Sequence, residues 1–247
     1  MNYRFKIALL ACACSIFAIG APAQTPTPAP AKKPATAAKT AATPYDPALL
    51  HPQTLNAKAP AEYEVKFVTT AGDFTVKVTR AWAPNGADRF YNLVRHHYYD
   101  GAAFFRVLSG FMAQFGISAY PDVAKQWEEA NIKDDPVVKS NQRGFVTFAQ
   151  ASSPNTRSTQ VFINYGNNGN LDHDRFAPFG EVTEGMEVVD KLYSGYGEGA
   201  PDGHGPDQGM IGNRGKAYLE KGFPKLDIIR SATLVPAAAA PTAAPAK

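Results

Sequence analysis

Between Glu64 and Leu234 the apolar residues come in short runs that alternate with polar ones and are cut off by glycine, proline, asparagine or serine. Such a pattern makes many short strands joined by turns, since a strand buries every second side chain and a turn residue ends it. Residues 64–69 and 74–79 flank Ala71-Gly72 and predict a hairpin with one buried face. Further runs at 103–107, 112–116, 145–149, 161–164 and 179–182 read as strands, and 225–234 supplies a closing one. Two stretches read as helices. In 85–97, Phe90, Leu93, Val94 and His97 fall at i, i+3, i+4 and i+7; in 185–192, Thr183 stands near the start as a cap. The predicted fold is mainly β: a closed antiparallel eight-stranded β-barrel capped by two α-helices.

The flanks differ in kind. Arg4 and Lys6 precede an apolar stretch over 7–20 and the small residues Ala21-Pro22-Ala23, which predicts a signal peptide over 1–23 and a mature start near Gln24. The stretch is too short for a comfortable membrane span and runs straight into polar, proline-rich chain, so stable membrane insertion after cleavage is not expected. Residues 24–60, dominated at first by Ala, Pro, Thr and Lys, are expected to be a disordered linker, 61–235 the folded domain, and 236–247 a disordered tail. Both cysteines, Cys12 and Cys14, lie inside the leader, so a cleaved chain carries neither disulfide nor thiol chemistry. Leu9-Leu10-Ala11-Cys12 also loosely fits a lipoprotein site, leaving lipid anchoring through Cys12 as an alternative to a periplasmic or secreted protein. The chain's net charge is +3, but residues 61–235 carry −3, which gives no electrostatic reason to expect nucleic acid.

Three segments carry chemistry. Phe104-Phe105-Arg106 is followed by Phe111 and Gln114; then come 144–150, Gly-Phe-Val-Thr-Phe-Ala-Gln, and 154–163, Pro-Asn-Thr-Arg-Ser-Thr-Gln-Val-Phe-Ile. In order and spacing they resemble the signature segments of the cyclophilin-type peptidyl-prolyl cis/trans isomerases. Leu171-Asp172, Phe179-Gly180-Glu181-Val182 and 185–189 extend the resemblance over 63–235.

The resemblance implies an enzyme that accelerates X-Pro bond rotation in unfolded or extended proteins, assists folding and needs no cofactor or metal. It makes Arg106 the catalytic cation, with Gln114 positioning it. Phe111, Phe162, Leu171 and Phe176 would wall the proline pocket, while Ala149, Gln150 and Gln160 would line the groove for flanking peptide. Phe105, beside Arg106, is counted with the substrate-binding residues, although the family commonly has histidine there. Asn170 stands where relatives carry tryptophan, which implies weak cyclosporin binding. Proline-containing polypeptides are the expected partners, and a monomer the expected state. A binding module that holds such segments with little turnover is the alternative.

Taken alone, these residues have plainer readings. An arginine among strand aromatics is commonly ion-paired, and Phe111 and Phe162 would ordinarily be core. His96-His97 reads as a helix C-terminus, Asp172-His173-Asp174 as a polar turn, and neither has the spaced partners of a metal site. Residues 195–215 hold eight glycines but lack the Gly-Lys-Ser/Thr end of a phosphate loop, so a long surface excursion is expected.

Overall fold

The computed structural model describes residues 43–236. The leader with Cys12 and Cys14, the linker up to residue 42 and the tail from 237 fall outside the described residues. Eight strands form one antiparallel sheet: β1 (Glu62–Thr69), β2 (Asp73–Thr79), β3 (Arg106–Leu108), β4 (Met112–Phe115), β5 (Phe145–Phe148), β6 (Val161–Asn164), β7 (Pro178–Glu184) and β8 (Ile229–Leu234). Their order is β3-β4-β6-β5-β7-β2-β1-β8. The two ends meet where Ala103 bridges Ile228, supported by Phe104 N–H to Asp227 O at 3.0 Å and Ile229 N–H to Ala102 O at 2.9 Å. The curled sheet thus has its first and last edges laced together just before β3 and β8.

Alternation decides what fills it. Val65, Phe67, Phe74, Val76, Val146, Phe148, Val161, Ile163 and Phe179 all belong to one buried cluster, with Phe67 and Phe74 stacked at 4.8 Å. Helix α1 (Pro84–Arg95) begins with the proline that suits a first turn and packs Phe90 against Phe179 at 4.9 Å.

Two predictions need correction. Four α-helices occur among the described residues rather than two: α1 and the short α3 (Met186–Val189) were expected, α2 (Pro121–Trp127) and α4 (Gln208–Gly222) were not. In α4 the Asp207 side chain caps the start by accepting from Met210 N–H at 2.7 Å, and the helix kinks at Gly215, whose φ is +55°. A side chain at Gly215 would meet Ala119 O at 2.3 Å, so the kink seats α4 against the chain before α2. The expected surface excursion is therefore partly a packed helix.

Nor does disordered linker run to residue 60. Tight 3-10 turns form at Pro47–Leu50 and Pro52–Thr54, Leu49 is buried, and its carbonyl accepts from the Trp127 indole at 2.8 Å. Asp46 bonds His96 at 2.7 Å, which holds its carboxyl below the usual range, while Asn92 and Asp88 of α1 take the backbone at Ala57 and Ala59. Apolar anchors and satisfied backbone groups offset the entropy of ordering this segment.

Candidate active site

Strand register builds the site. Across four neighbouring strands Arg106 lies opposite Gln114, Gln114 opposite Phe162, and Phe162 opposite Thr147. Ala113, Phe115, Val161 and Ile163, the alternate residues, point into the core, so this row faces the other side of the sheet. That face floors a cleft of about 720 Å³, within the size range of ligand sites.

One chain of hydrogen bonds crosses the floor. Arg106 Nη1 donates to Gln114 Oε1 at 3.1 Å, and Gln114 Nε2 donates to Gln160 Oε1 at 2.8 Å. The outer edge of the guanidinium is held by Glu198: Nε lies 2.8 and 2.7 Å from its two oxygens, and Nη2 lies 2.5 Å from Oε2. The Arg106 hydrogen bond, partly opposed by burial, holds the Glu198 carboxyl below its ordinary value. Of the five guanidinium N–H groups, Glu198 and Gln114 take three; Nη1 has only the weakly accepting Met112 sulfur at 4.0 Å beyond Gln114, and one N–H on Nη2 is left without a partner.

The apolar wall comes from three places. Phe111 lies in the turn between β3 and β4, Phe162 on β6, and Leu171 and Phe176 on the loop before β7, all lining the same cleft. Phe176 meets Phe162 edge-on at 5.7 Å and carries the Arg157 guanidinium over its ring at 5.3 Å. Arg157 is buried and paired with Asp134, and it donates to Arg175 O at 2.6 Å, which fixes the chain beside Phe176. Asn168 Nδ2 donates to Phe111 O at 2.9 Å, steadying the opposite wall.

Ala149 and Gln150 line the cleft where β5 ends. Gln150 donates to Asp174 O at 3.1 Å, while its Oε1 is buried beneath the wall without a protein partner. The remaining predicted residue does not join them. Phe105 is 2 % exposed and packs with Ile211 and Leu219 of α4 in a separate apolar cluster, because neighbouring residues of an extended chain point to opposite sides.

Sequence reasoning passed over Glu198 and the two helices that raise the far walls. Lys125 and Glu128 flank the cleft from the α2 side, and Gln208 and Asn213 from α4. A carboxylate among eight glycines carries no local mark of its partner ninety-two positions earlier. Of the histidines weighed for a metal site, His96 pairs with Asp46 and His97 with Asp100, and His173 is not among the residues lining the cleft. Among the described residues, no group of three or more His, Cys, Asp or Glu is arranged to hold a metal ion.

Comparison with known proteins agrees with this arrangement. Residues 64–207 match the family model described as cyclophilin type peptidyl-prolyl cis-trans isomerase/CLD. A peptidyl-prolyl cis-trans isomerase of Acinetobacter baylyi is 32% identical over 143 residues, covering 56% of this chain and 76% of the relative. Another, of Streptomyces antibioticus, is 34% identical over 148 residues, covering 57% and 88%. Among solved structures, a cyclophilin from Hirschia baltica aligns with a TM-score of 0.53 at 20% identity, covering 74% of this chain and 77% of that one. A cyclophilin type isomerase of Cryptosporidium parvum gives 0.52 at 20%, covering 70% and 98%; at such identity these two speak for the fold alone. The eight-stranded sheet, the matched segment and the named relatives agree: the chain belongs to the cyclophilin-type peptidyl-prolyl cis-trans isomerases.

Proposed function

We propose that this isomerase turns X-Pro bonds with Arg106, seating the proline ring against Phe111, Phe162, Leu171 and Phe176. The carrying observation is the cation, its outer edge gripped by Glu198 and its Nη1 held by Gln114, beside an apolar wall in one cleft. Rotation breaks amide resonance against a barrier of about 18–20 kcal/mol. At the top the nitrogen regains its lone pair and the carbonyl leaves the plane, so a donor fixed there stabilises the twisted amide more than the planar one. The uncommitted Nη protons of Arg106 supply that donor. Gln160 and the Ala149 carbonyl would pair with the extended chain on either side of proline, with Gln150 lining the groove beside them.

No step transfers a proton. An arginine carries its charge throughout the neutral range, and the Glu198 carboxyl, held below its ordinary value by the Arg106 hydrogen bond, is ionised there. No histidine lines the cleft among the described residues. The isomerisation rate of a short X-Pro peptide, followed by exchange NMR, is expected to exceed the uncatalysed rate and to stay flat from about pH 6 to 8. Peptide binding without acceleration would favour the binding-module reading instead, and a steep change in that window without unfolding would overturn the assigned constellation.

Weak cyclosporin inhibition belongs to the same reading. Asn170 stands at the tryptophan position, and among the described residues the indole that lines the cleft, Trp127, has its N–H committed to Leu49 O.

The working place we propose is the periplasm or exterior, after cleavage near Gln24, with lipid anchoring through Cys12 as the second reading. The basic start, apolar stretch and small residues at 21–23 support export. A monomer is the proposed state, since among the described residues Val138 and Val235 are the large hydrophobics left exposed. Mass spectrometry and light scattering on the exported protein should give a start near Gln24 and one chain per particle. An acylated start at Cys12 would select the alternative.

A further inference from the structure

We infer that Glu198 is a positioning residue for catalysis: it locks the Arg106 guanidinium in the pose that presents its free Nη protons to the twisted amide. The inference rests on Arg106 being the group that meets the substrate. Arg106 starts a three-residue strand, and without Glu198 its head would be held by a single Gln114 hydrogen bond and a distant Met112 sulfur at 4.0 Å. A long arginine side chain so loosely held samples many rotamers, whereas a carboxylate gripping Nε and Nη2 together fixes both the position and the plane of the fork. Glu198 takes the outer edge and Gln114 one proton of Nη1, so the grip leaves donors over rather than consuming all of them.

The same contact could instead be a plug that leaves when substrate arrives. The loop that carries Glu198 argues against this. Gly205 N–H donates to Glu198 O at 2.7 Å, Gly199 N–H to Glu198 Oε1 at 3.0 Å, Gly203 N–H to Gly199 O at 3.1 Å and His204 N–H to Tyr196 O at 3.1 Å. The backbone closes so tightly that a side chain at Gly203 would come within 2.3 Å of Glu198 O. Tyr196, two residues before Glu198, meets Tyr193 at 5.0 Å and Phe223 at 5.2 Å. It also joins the apolar cluster that buries Phe105 beneath α4. The carboxylate is thus presented from a stitched frame built onto the Arg106 flank. Where many relatives carry histidine, this chain spends Phe105 on anchoring that frame.

Three variants test the assignment by exchange NMR on a short X-Pro peptide, with kcat and KM separated: Glu198→Ala, Glu198→Gln and Arg106→Ala. Glu198→Ala is expected to lower kcat about tenfold with KM little changed, and to broaden or lose the Arg106 Nε–H resonance in proton–nitrogen spectra. Glu198→Gln keeps one acceptor on the fork and should recover part of the rate and of that resonance. In an Arg106→Ala background, Glu198→Ala should change nothing further, an outcome that a general structural role would not give. A Glu198→Ala or Glu198→Gln protein as fast as wild type, or faster, overturns the inference. If Glu198→Ala fails to fold, Glu198→Gln alone decides by the same criterion. Arg106→Ala at the wild-type rate would sink the role of Arg106 itself, whereas a crippled Arg106→Ala beside an unchanged Glu198→Ala would sink the positioning role alone.

Discussion

Arg106→Ala is expected to lower kcat/KM about a hundredfold, with little change in KM. A charge-assisted hydrogen bond to the twisted amide is worth roughly 1.5–3 kcal/mol, which corresponds to between about ten- and a hundredfold in rate. The upper end applies because the bond forms inside a cleft, where the lower dielectric strengthens it. KM should hold because the apolar seat of Phe111, Phe162 and Phe176 does not depend on the guanidinium. Residual acceleration is expected to remain, since desolvation and positioning of the peptide in the cleft survive. Arg106→Lys should fall between: it keeps the charge but loses the fork that Glu198 and Gln114 grip. Exchange NMR separates these outcomes, and circular dichroism checks that each variant is folded. A loss of less than about threefold in Arg106→Ala would contradict the assignment.

The strand half of this site was legible because its information is local. Short apolar runs ended by turn residues mark the strands around Arg106, Gln114 and Phe162, and the pairing in the structure sets the three side chains in one row. The roles of all these residues came from the resemblance; Phe111, Leu171 and Phe176 stand on turns, where periodicity says nothing. Strand alternation could have separated Phe105 from Arg106, since adjacent strand residues cannot serve one face. Helix α4 was hidden by its own composition: glycines at 209, 212 and 215 lower helix propensity and mask the spacing of Ile211 and Leu219 on one face. Alanine and proline around Leu49 likewise made ordered chain look like linker, although the deciding partner, the Trp127 indole, is 78 positions away. Glu198 is the extreme case, because its meaning depends wholly on a tertiary neighbour.

The wall around the proline seat should prove as dependent on one buried amide as the chemistry is on one cation. Asn141 is 0% exposed and ties together separate pieces of that wall. Its Nδ2 donates to Asp172 Oδ1 at 2.8 Å and to Phe176 O at 2.7 Å, and its Oδ1 accepts from Thr147 Oγ1 at 2.8 Å and Asn164 Nδ2 at 3.3 Å. Its backbone N–H donates to Asp172 Oδ1 at 3.0 Å, and its carbonyl accepts from Asn168 N–H at 2.8 Å, the residue that in turn holds Phe111. Asn141→Leu keeps the branched outline but strands the Thr147 hydroxyl and the Phe176 carbonyl and takes one donor from the Asp172 carboxylate, which keeps the backbone N–H of residue 141. Each buried group left unsatisfied costs about 1–3 kcal/mol and the losses overlap, so a destabilisation of about 4 kcal/mol is expected in urea unfolding. Under conditions where the variant stays folded, KM should rise as Leu171 and Phe176 loosen, while kcat changes less because Arg106 keeps Gln114 and Glu198. A pH series provides an independent sign. Burial pushes the Asp172 carboxyl up, but hydrogen bonds from Ser140 and Asn141 outweigh it and hold the group below its ordinary value. Its contribution to stability is therefore full above the unfolded pKa, about 3.9 for an aspartate, and is lost as pH falls through the folded one. With the Asn141 donor gone, the folded value rises toward the unfolded one and that acid-side loss should shrink. Wild-type stability should fall more steeply than that of Asn141→Leu below about pH 4; parallel curves would mean that the amide does not hold the carboxylate.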